Sequence, residues 1–223
     1  SERLISMMMV KDEHLVFNAK AVYSIEKFLL ARRMMYWSVY LHKTSFVAEE
    51  LLIRLFDRAS TLIQAGKEVK TSSALGYFLH HPDAAINAKI NAFTHLDDAD
   101  VWMMLKDAVM NEDTVLSTLA KMLLDRKLPK IKLGYEPFST EQIQHLRTEI
   151  SKKHGLSLDE AYYFVFSESL EIQGYRQKEN PIQLYNQKGE CSLFDTSPEI
   201  VHVHTLTKKD TKYYLAYPKG DGY

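Results

Sequence analysis

A single cysteine, Cys191, in 223 residues excludes an intrachain disulfide framework and a thiolate metal cluster, and fits a reducing cytoplasmic compartment. Its own expected place is that of a small half-buried side chain. No apolar run approaches the roughly 18 residues of a membrane span. The opening SERLISMMMV is too short and wrongly flanked for a signal peptide, so a soluble, cytoplasmic protein with no membrane partner is expected. An excess of one charge is also lacking. A net charge of -1 argues against a strongly basic nucleic-acid binder, and any anion site must be assembled locally. No Gly-rich phosphate loop and no Gly-x-Ser-x-Gly elbow occurs, which disfavours an independent nucleophilic hydrolase.

What is present is a globular composition, 46% hydrophobic and 26% charged. Apolar residues recur at helical spacing through Ile25, Phe28, Leu29, Met35, Val39, Phe46, Val47, Leu51, Leu55 and Leu62, with no Gly or Pro before Gly66. The spacing predicts one long helix or two helices meeting near Thr44. LDDAD places acids in the first turn of a further helix with Val101, Trp102, Leu105 and Val109 as its apolar face. The next helix turns Val115, Leu116, Leu119, Met122 and Leu123 inward and is stopped by Pro129. After Gly134 the texture changes. Ser139 and Gln142 stand in capping-box spacing and Gly155 ends their helix, and then short β-branched and aromatic runs follow. The expected architecture is mainly α, a helical bundle body over 1–134 followed by a small α+β subdomain over 135–223.

The stretch ARRMMYWSVYLHKT, Ala31 to Thr44, crowds arginines, aromatics, a histidine and a lysine onto this helical region. On an ideal α-helix Arg32, Tyr36, Tyr40 and Lys43 fall within about 80° of one another. Guanidinium and ammonium groups beside flat phenols suit a nucleotide's phosphates, base and sugar. An amphipathic helix with a salt-bridged arginine and half-buried tyrosines explains the same pattern, and spacing alone does not choose between them.

The run IEKFLLARRMMYWSVYLHKT, with LDDADVW and LLDRKLPKIKL further on, resembles the C-terminal half of HD-domain phosphohydrolases of the dNTP triphosphohydrolase type. The likeness runs from Ser1 to about Lys132. It implies a helical, metal-dependent enzyme that cleaves a dNTP to deoxynucleoside and triphosphate, often activated by nucleotides at subunit interfaces. The resemblance places Arg32 on substrate phosphate, Tyr40 against the deoxyribose and Tyr36 in the same pocket. It places His42 and Lys43 on an allosteric nucleotide phosphate, with Lys20, Arg126, Lys130 and Arg3 at further regulatory positions. The activating nucleotide and a homo-oligomer, dimer or tetramer, are the implied partners. The family's metal ligands are a His, a His-Asp doublet and a later Asp, and this chain contains no His-Asp dipeptide. The divalent metal (Mg, Mn, Fe or similar) is therefore expected in a half preceding Ser1. No catalytic or metal-binding residue is expected within the chain, which should be inactive alone.

Other clusters have plainer expected readings. His80-His81-Pro82-Asp83 reads as a loop, since adjacent histidines do not share a helix face. Asp97, Asp98 and Asp100 read as a helix start rather than a divalent-metal cluster. His202 and His204 alternate on one strand face but lack a third ligand. In YRQKENPIQLY the order Lys178-Glu179 departs from the family and carries no contact over. From a different class, a non-catalytic nucleotide- or nucleic-acid-binding assembly module using the same cations and stacking aromatics is the alternative function, with nucleic acid the less favoured ligand.

Overall fold

The computed structural model describes residues 2–40, 42–173, 175, 179, 181–200 and 206–219, and of Tyr40, Ile172 and Gln173 the backbone alone. The chain is mainly helical with small sheets. Its contacts form two compact units: Ser1–His42 with Ser169–Lys212, and Lys43–Glu168 with Tyr213–Tyr223. His202, His204 and Lys178 lie outside the described residues.

The first unit begins with α1 (Glu2–Ile5) and a hairpin of β1 (Met8–Lys11) and β2 (His14–Asn18). Its two-residue turn holds Asp12 at φ 49° and Glu13 at φ 63°, the positive values that tight hairpins require. Glycine and asparagine usually occupy such positions, and their absence hid the hairpin from sequence reasoning. β2 pairs in parallel with β5 (Gln183–Tyr185), Phe17 against Leu184, and β5 pairs antiparallel with β6 (Cys191–Leu193). On this sheet α2 (Val22–Met35) buries Val22, Ile25 and Leu29 among Tyr175, Leu184, Phe194 and Leu206. The Tyr175 ring meets Phe194 edge to face at 5.9 Å, and its hydroxyl accepts the Ile182 N–H at 2.9 Å.

The second unit is built around α3 (Lys43–Gln64), whose stripe Val47, Leu51, Leu55, Ala59 and Leu62 is buried. α4 (Ser73–His80), α5 (Ile86–Phe93), α6 (Asp98–Ala108) and α7 (Thr114–Leu124) follow, and α7 packs on both α3 and α6. The inward face of α6 is Met104, Leu105 and Ala108, whereas Trp102 is 54% exposed. Trp102 lies about 160° from Met104 and about 120° from Ala108 around the helix, next to Leu105 alone, and so stands at the margin of that face. β3 (Lys130–Gly134) pairs antiparallel with the end of β7 (Lys209–Tyr217), Lys130 against Tyr217 and Gly134 against Tyr213. α8 (Thr140–His154), α9 (Leu158–Ala161) and β4 (Phe166–Gln173) complete the order, and the sheet runs β3-β7-β4. Backbone pairing of β2 with β5, and of β3 with β7, joins early segments to late ones.

Helix ends follow their local chemistry. Ser139 and Gln142 form the capping box of α8, and Gly155 closes it at φ 65°. α7 ends at Leu124, well before Pro129, with the Lys127 N–H donating to the Met122 carbonyl at 2.9 Å and the Arg126 N–H to Leu123 at 3.3 Å. This is a Schellman turn, and the left-handed residue at its apex is Arg126.

Buried charge is paired. Arg54 donates to the Glu50 carboxylate at 2.6 Å and lies 3.6 Å over the Phe166 ring. Arg58 grips Asp113 bidentately, Nε to Oδ1 at 3.0 Å and Nη2 to Oδ2 at 2.6 Å, while Oδ1 also accepts the Leu116 N–H at 2.9 Å as the N-cap of α7. Burial opposes ionisation of Asp113, but the bonds from Arg58 and Leu116 outweigh it and hold the carboxyl below the usual carboxylate range. Asp113→Ala removes cap and ion pair together and is expected to cost about 3 kcal/mol, whereas Asp113→Asn keeps a cap and costs about half of that. Because the folded pKa is depressed, the ion pair's contribution is full above the unfolded aspartate pKa and disappears as pH falls through the folded value. Urea unfolding at pH 7 and again below pH 4 measures both effects, and Asp113→Asn should shrink the acid-side loss of stability.

Candidate functional site

The Ala31 to Thr44 segment is not one straight α-helix. α2 ends at Met35, residues Tyr36–Tyr40 form a π-helical turn, and α3 starts afresh at Lys43. In a π turn the chain winds wider, so positions four apart no longer stand above one another. The four-residue stripe Arg32, Tyr36, Tyr40, Lys43 expected of an ideal helix is accordingly broken after Tyr36. The other expectation, two helices meeting near Thr44, describes the chain.

What survives is the pair Arg32 and Tyr36. Arg32 Nη2 reaches the Tyr36 hydroxyl at 3.4 Å, and its guanidinium carbon lies 5.4 Å from the ring centroid. Arg32 is exposed and has no carboxylate partner among the described residues. Arg33 differs entirely. It is tied to the Asp210 carboxylate and donates to the Lys208 carbonyl at 3.3 Å, so it anchors α2 to the beginning of β7. Trp37 lies under the Lys212 ammonium, 3.9 Å from nitrogen to centroid. Neither contact has a local sequence signal, since the partners are more than 170 residues away.

Arg3, Lys20, Arg32, Tyr36, Tyr40 and His42 belong to the first unit, and Lys43, Arg126 and Lys130 to the second. Arg3 and Lys20 are exposed, Lys20 in the turn capped by Asn18. His42 is exposed immediately before α3. Lys43 occupies the first turn of α3, which contains no acid, so the positive end of the helix dipole and an ammonium charge coincide. Arg126 and Lys130 are exposed, at the end of α7 and the start of β3. The Tyr40 side chain is outside the described atoms. Two cavities of the second unit, about 750 and 550 Å³, are lined by other residues.

Among the described residues no three His, Cys, Asp or Glu side chains converge to hold a metal ion. Asp97 and Asp100 cap α6 instead. The Asp97 carboxylate accepts the Ala99 N–H and the Asp100 carboxylate the Asp97 N–H, both at 2.8 Å. A side-chain bond from Ser72, followed by the one from the Asp97 backbone, lowers the Asp100 pKa. His80 ends α4, and His81 stacks at 5.0 Å from Tyr77. Among the described residues no helix is long and apolar enough to cross a membrane.

A family profile described as "HD associated region" matches residues 1–74. A crystal structure of a phosphohydrolase from Bacteroides thetaiotaomicron is 37% identical, with a TM-score of 0.85 over 97% of this chain and 55% of that one. An uncharacterised Bacillus subtilis protein is 23% identical over 98% of this chain and 50% of its own length. A hypothetical protein from Aquifex aeolicus, 20% identical with a TM-score of 0.58 over 97% of this chain and 47% of that one, shares the fold. Together the matches support a relation to the HD superfamily. The chain spans about half the length of these relatives.

Arg126 combines exposure with strain, at φ 56°, where α3 and α8 each place a glycine, Gly66 and Gly155. A left-handed non-glycine residue costs on the order of 1 kcal/mol. Arg126→Gly is therefore expected to raise stability by about 0.5–1 kcal/mol in chemical denaturation, with unchanged helix content by circular dichroism.

Proposed function

We propose that this chain is part of an HD-type phosphohydrolase that hydrolyses dNTPs to deoxynucleoside and triphosphate. The observation that carries the reading is Arg32. It is an exposed guanidinium braced on Tyr36, without a carboxylate partner among the described residues, inside the segment matched by the HD-associated profile. The Bacteroides phosphohydrolase, alike in fold over nearly the whole chain, supports the hydrolase class. In this reading Arg32 balances substrate phosphate charge, Tyr36 holds the guanidinium in place, and Tyr40 packs against the sugar. His42, Lys43, Lys20, Arg126, Lys130 and Arg3 serve an activating nucleotide, for which the acid-free first turn of α3 is a favourable setting.

Among the described residues no three candidate ligands converge on a metal ion, so the divalent metal of such an enzyme is assigned to residues outside them. Assembly into a homo-dimer or tetramer belongs to the same proposal. Phe28, Met34, Met35 and Val39 are exposed, Met34 at 71%, and apolar side chains that cluster in sequence around a proposed site suit a protein interface.

The test is triphosphate release from dGTP with Mg or Mn. The 223-residue chain alone should show none, and robust turnover by it would overturn the assignment of the metal elsewhere. In a longer protein that also contains the segment its relatives possess, Arg32→Ala should lower kcat by about 100-fold while leaving assembly intact. Lys43→Ala should instead raise the concentration of activating nucleotide required. Small and equal effects of both substitutions would show that the two roles are misplaced.

A further inference from the structure

We propose that the 550 Å³ cavity between α3, α8 and the α9 turn is a binding site for a phosphoryl group, organised by Arg147. None of the residues assigned above lines it, and its existence does not depend on the dNTP reading.

Two arginines face the cavity, and their surroundings differ. Arg58 is neutralised by its bidentate grip on Asp113, with Glu160 a further 3.9 Å away. Arg147, half-buried, donates Nε to the Val165 carbonyl at 3.1 Å, and its guanidinium lies 4.8 Å over the Tyr162 ring. No carboxylate pairs with it among the described residues. The Nε bond and the stacked ring fix the guanidinium plane, and both terminal amino groups remain available as a planar donor pair, the arrangement that matches two phosphate oxygens.

The rest of the lining suits an anion of modest charge. Thr61 and Gln144 bring a hydroxyl and an amide, and Tyr163 closes one wall. The exposed Asp159 is the one carboxylate of the lining, and its repulsion is screened by solvent. Burial is the main cause that pulls the Arg147 pKa below the ordinary arginine value, with the like charge of Arg54 adding to it. An anion bound to the guanidinium would relieve that penalty. A purely structural role, tying α8 to the Val165 carbonyl, needs only the Nε donor and leaves the terminal amino groups unexplained.

The phosphoryl group could arrive free or as an ester, and the experiment separates the two. Two-dimensional NMR of the 223-residue chain follows the Arg147 Nε–H and Gln144 side-chain amide signals during titration with inorganic phosphate and, separately, with dAMP. Reading these resonances keeps any phosphate bound at Arg32 from being counted. Saturable shifts with both ligands at similar midpoints support a site for free phosphate, and a much lower midpoint with dAMP supports an esterified ligand. Arg147→Gln should weaken binding at Gln144 by about tenfold or more, and Arg147→Lys by a smaller factor, because an ammonium keeps the charge without the fork. Asp159→Asn, at an exposed position, should tighten binding about twofold and decides the matter if the Arg147 variants fail to fold. No saturable shift with either ligand, or a Gln144 shift that survives Arg147→Gln, overturns the proposal.

Discussion

The interaction on which most of the second unit depends is the one between Arg58 and Asp113. A single carboxylate ends the unpaired amino end of α7 through Leu116 and neutralises a guanidinium in the middle of α3. Arg58 stands seven residues after Leu51 and three after Leu55, at the edge of the buried stripe of α3, so the bond holds the start of α7 beside that stripe. The same guanidinium lies 5.5 Å from the Tyr163 ring, and Tyr162 next in sequence is the surface on which Arg147 rests. Arg58 itself lines the cavity at Arg147, so the ion pair helps to set one wall of it. An ion pair this enclosed carries a desolvation cost, which the bidentate geometry and the cap offset together.

Arginine is the residue type whose role the sequence leaves most open, and five of them differ by the partner the structure gives them. Arg54 is buried against Glu50 and Phe166, Arg58 against Asp113, and Arg33 against Asp210. Arg32 and Arg147 rest on tyrosine rings and have no carboxylate within reach among the described residues. Stacking on an aromatic face holds a guanidinium without consuming its charge, whereas a carboxylate consumes it. Arg32 and Arg147, each proposed to meet a phosphoryl group, are of the first kind, and Arg33, identical in type and adjacent in sequence to Arg32, is of the second.

Legibility followed the range of the determining interaction. Helices whose ends are set within a few residues were readable: Ser139, Gln142 and Gly155 delimit α8, and Asp97 with Asp100 opens α6. The apolar periodicity of α3 and α7 named their buried residues because burial there is one-sided. The hairpin at Asp12 and Glu13 was not readable, since the turn uses residues without the usual preference for positive φ. The division into units depends on β2 meeting β5 and β3 meeting β7, pairings between segments far apart in the chain that composition cannot reveal. Trp102 was misplaced because a large apolar side chain is an ambiguous indicator of burial when Met104 and Leu105 compete for the same core. For the candidate site, the residue types were legible and their grouping was not, because the π turn at Tyr36–Tyr40 breaks the helical register on which the grouping rested.

Arg126 shows how strain and chemistry can be weighed against each other. The three helices α3, α7 and α8 each finish with a residue in the left-handed region, and two of them use glycine, which adopts it without steric cost. The α7 turn closes with the same pair of backbone bonds as a glycine would allow, so nothing in the hydrogen bonding calls for an arginine. Its cation is favoured near a helix carboxyl end, but Lys121 in the last turn and Lys127 just beyond already supply that charge. A cost of order 1 kcal/mol is a noticeable fraction of the stability of an ordinary domain. No contact at the helix end among the described residues offsets that cost, so the backbone there favours glycine over arginine.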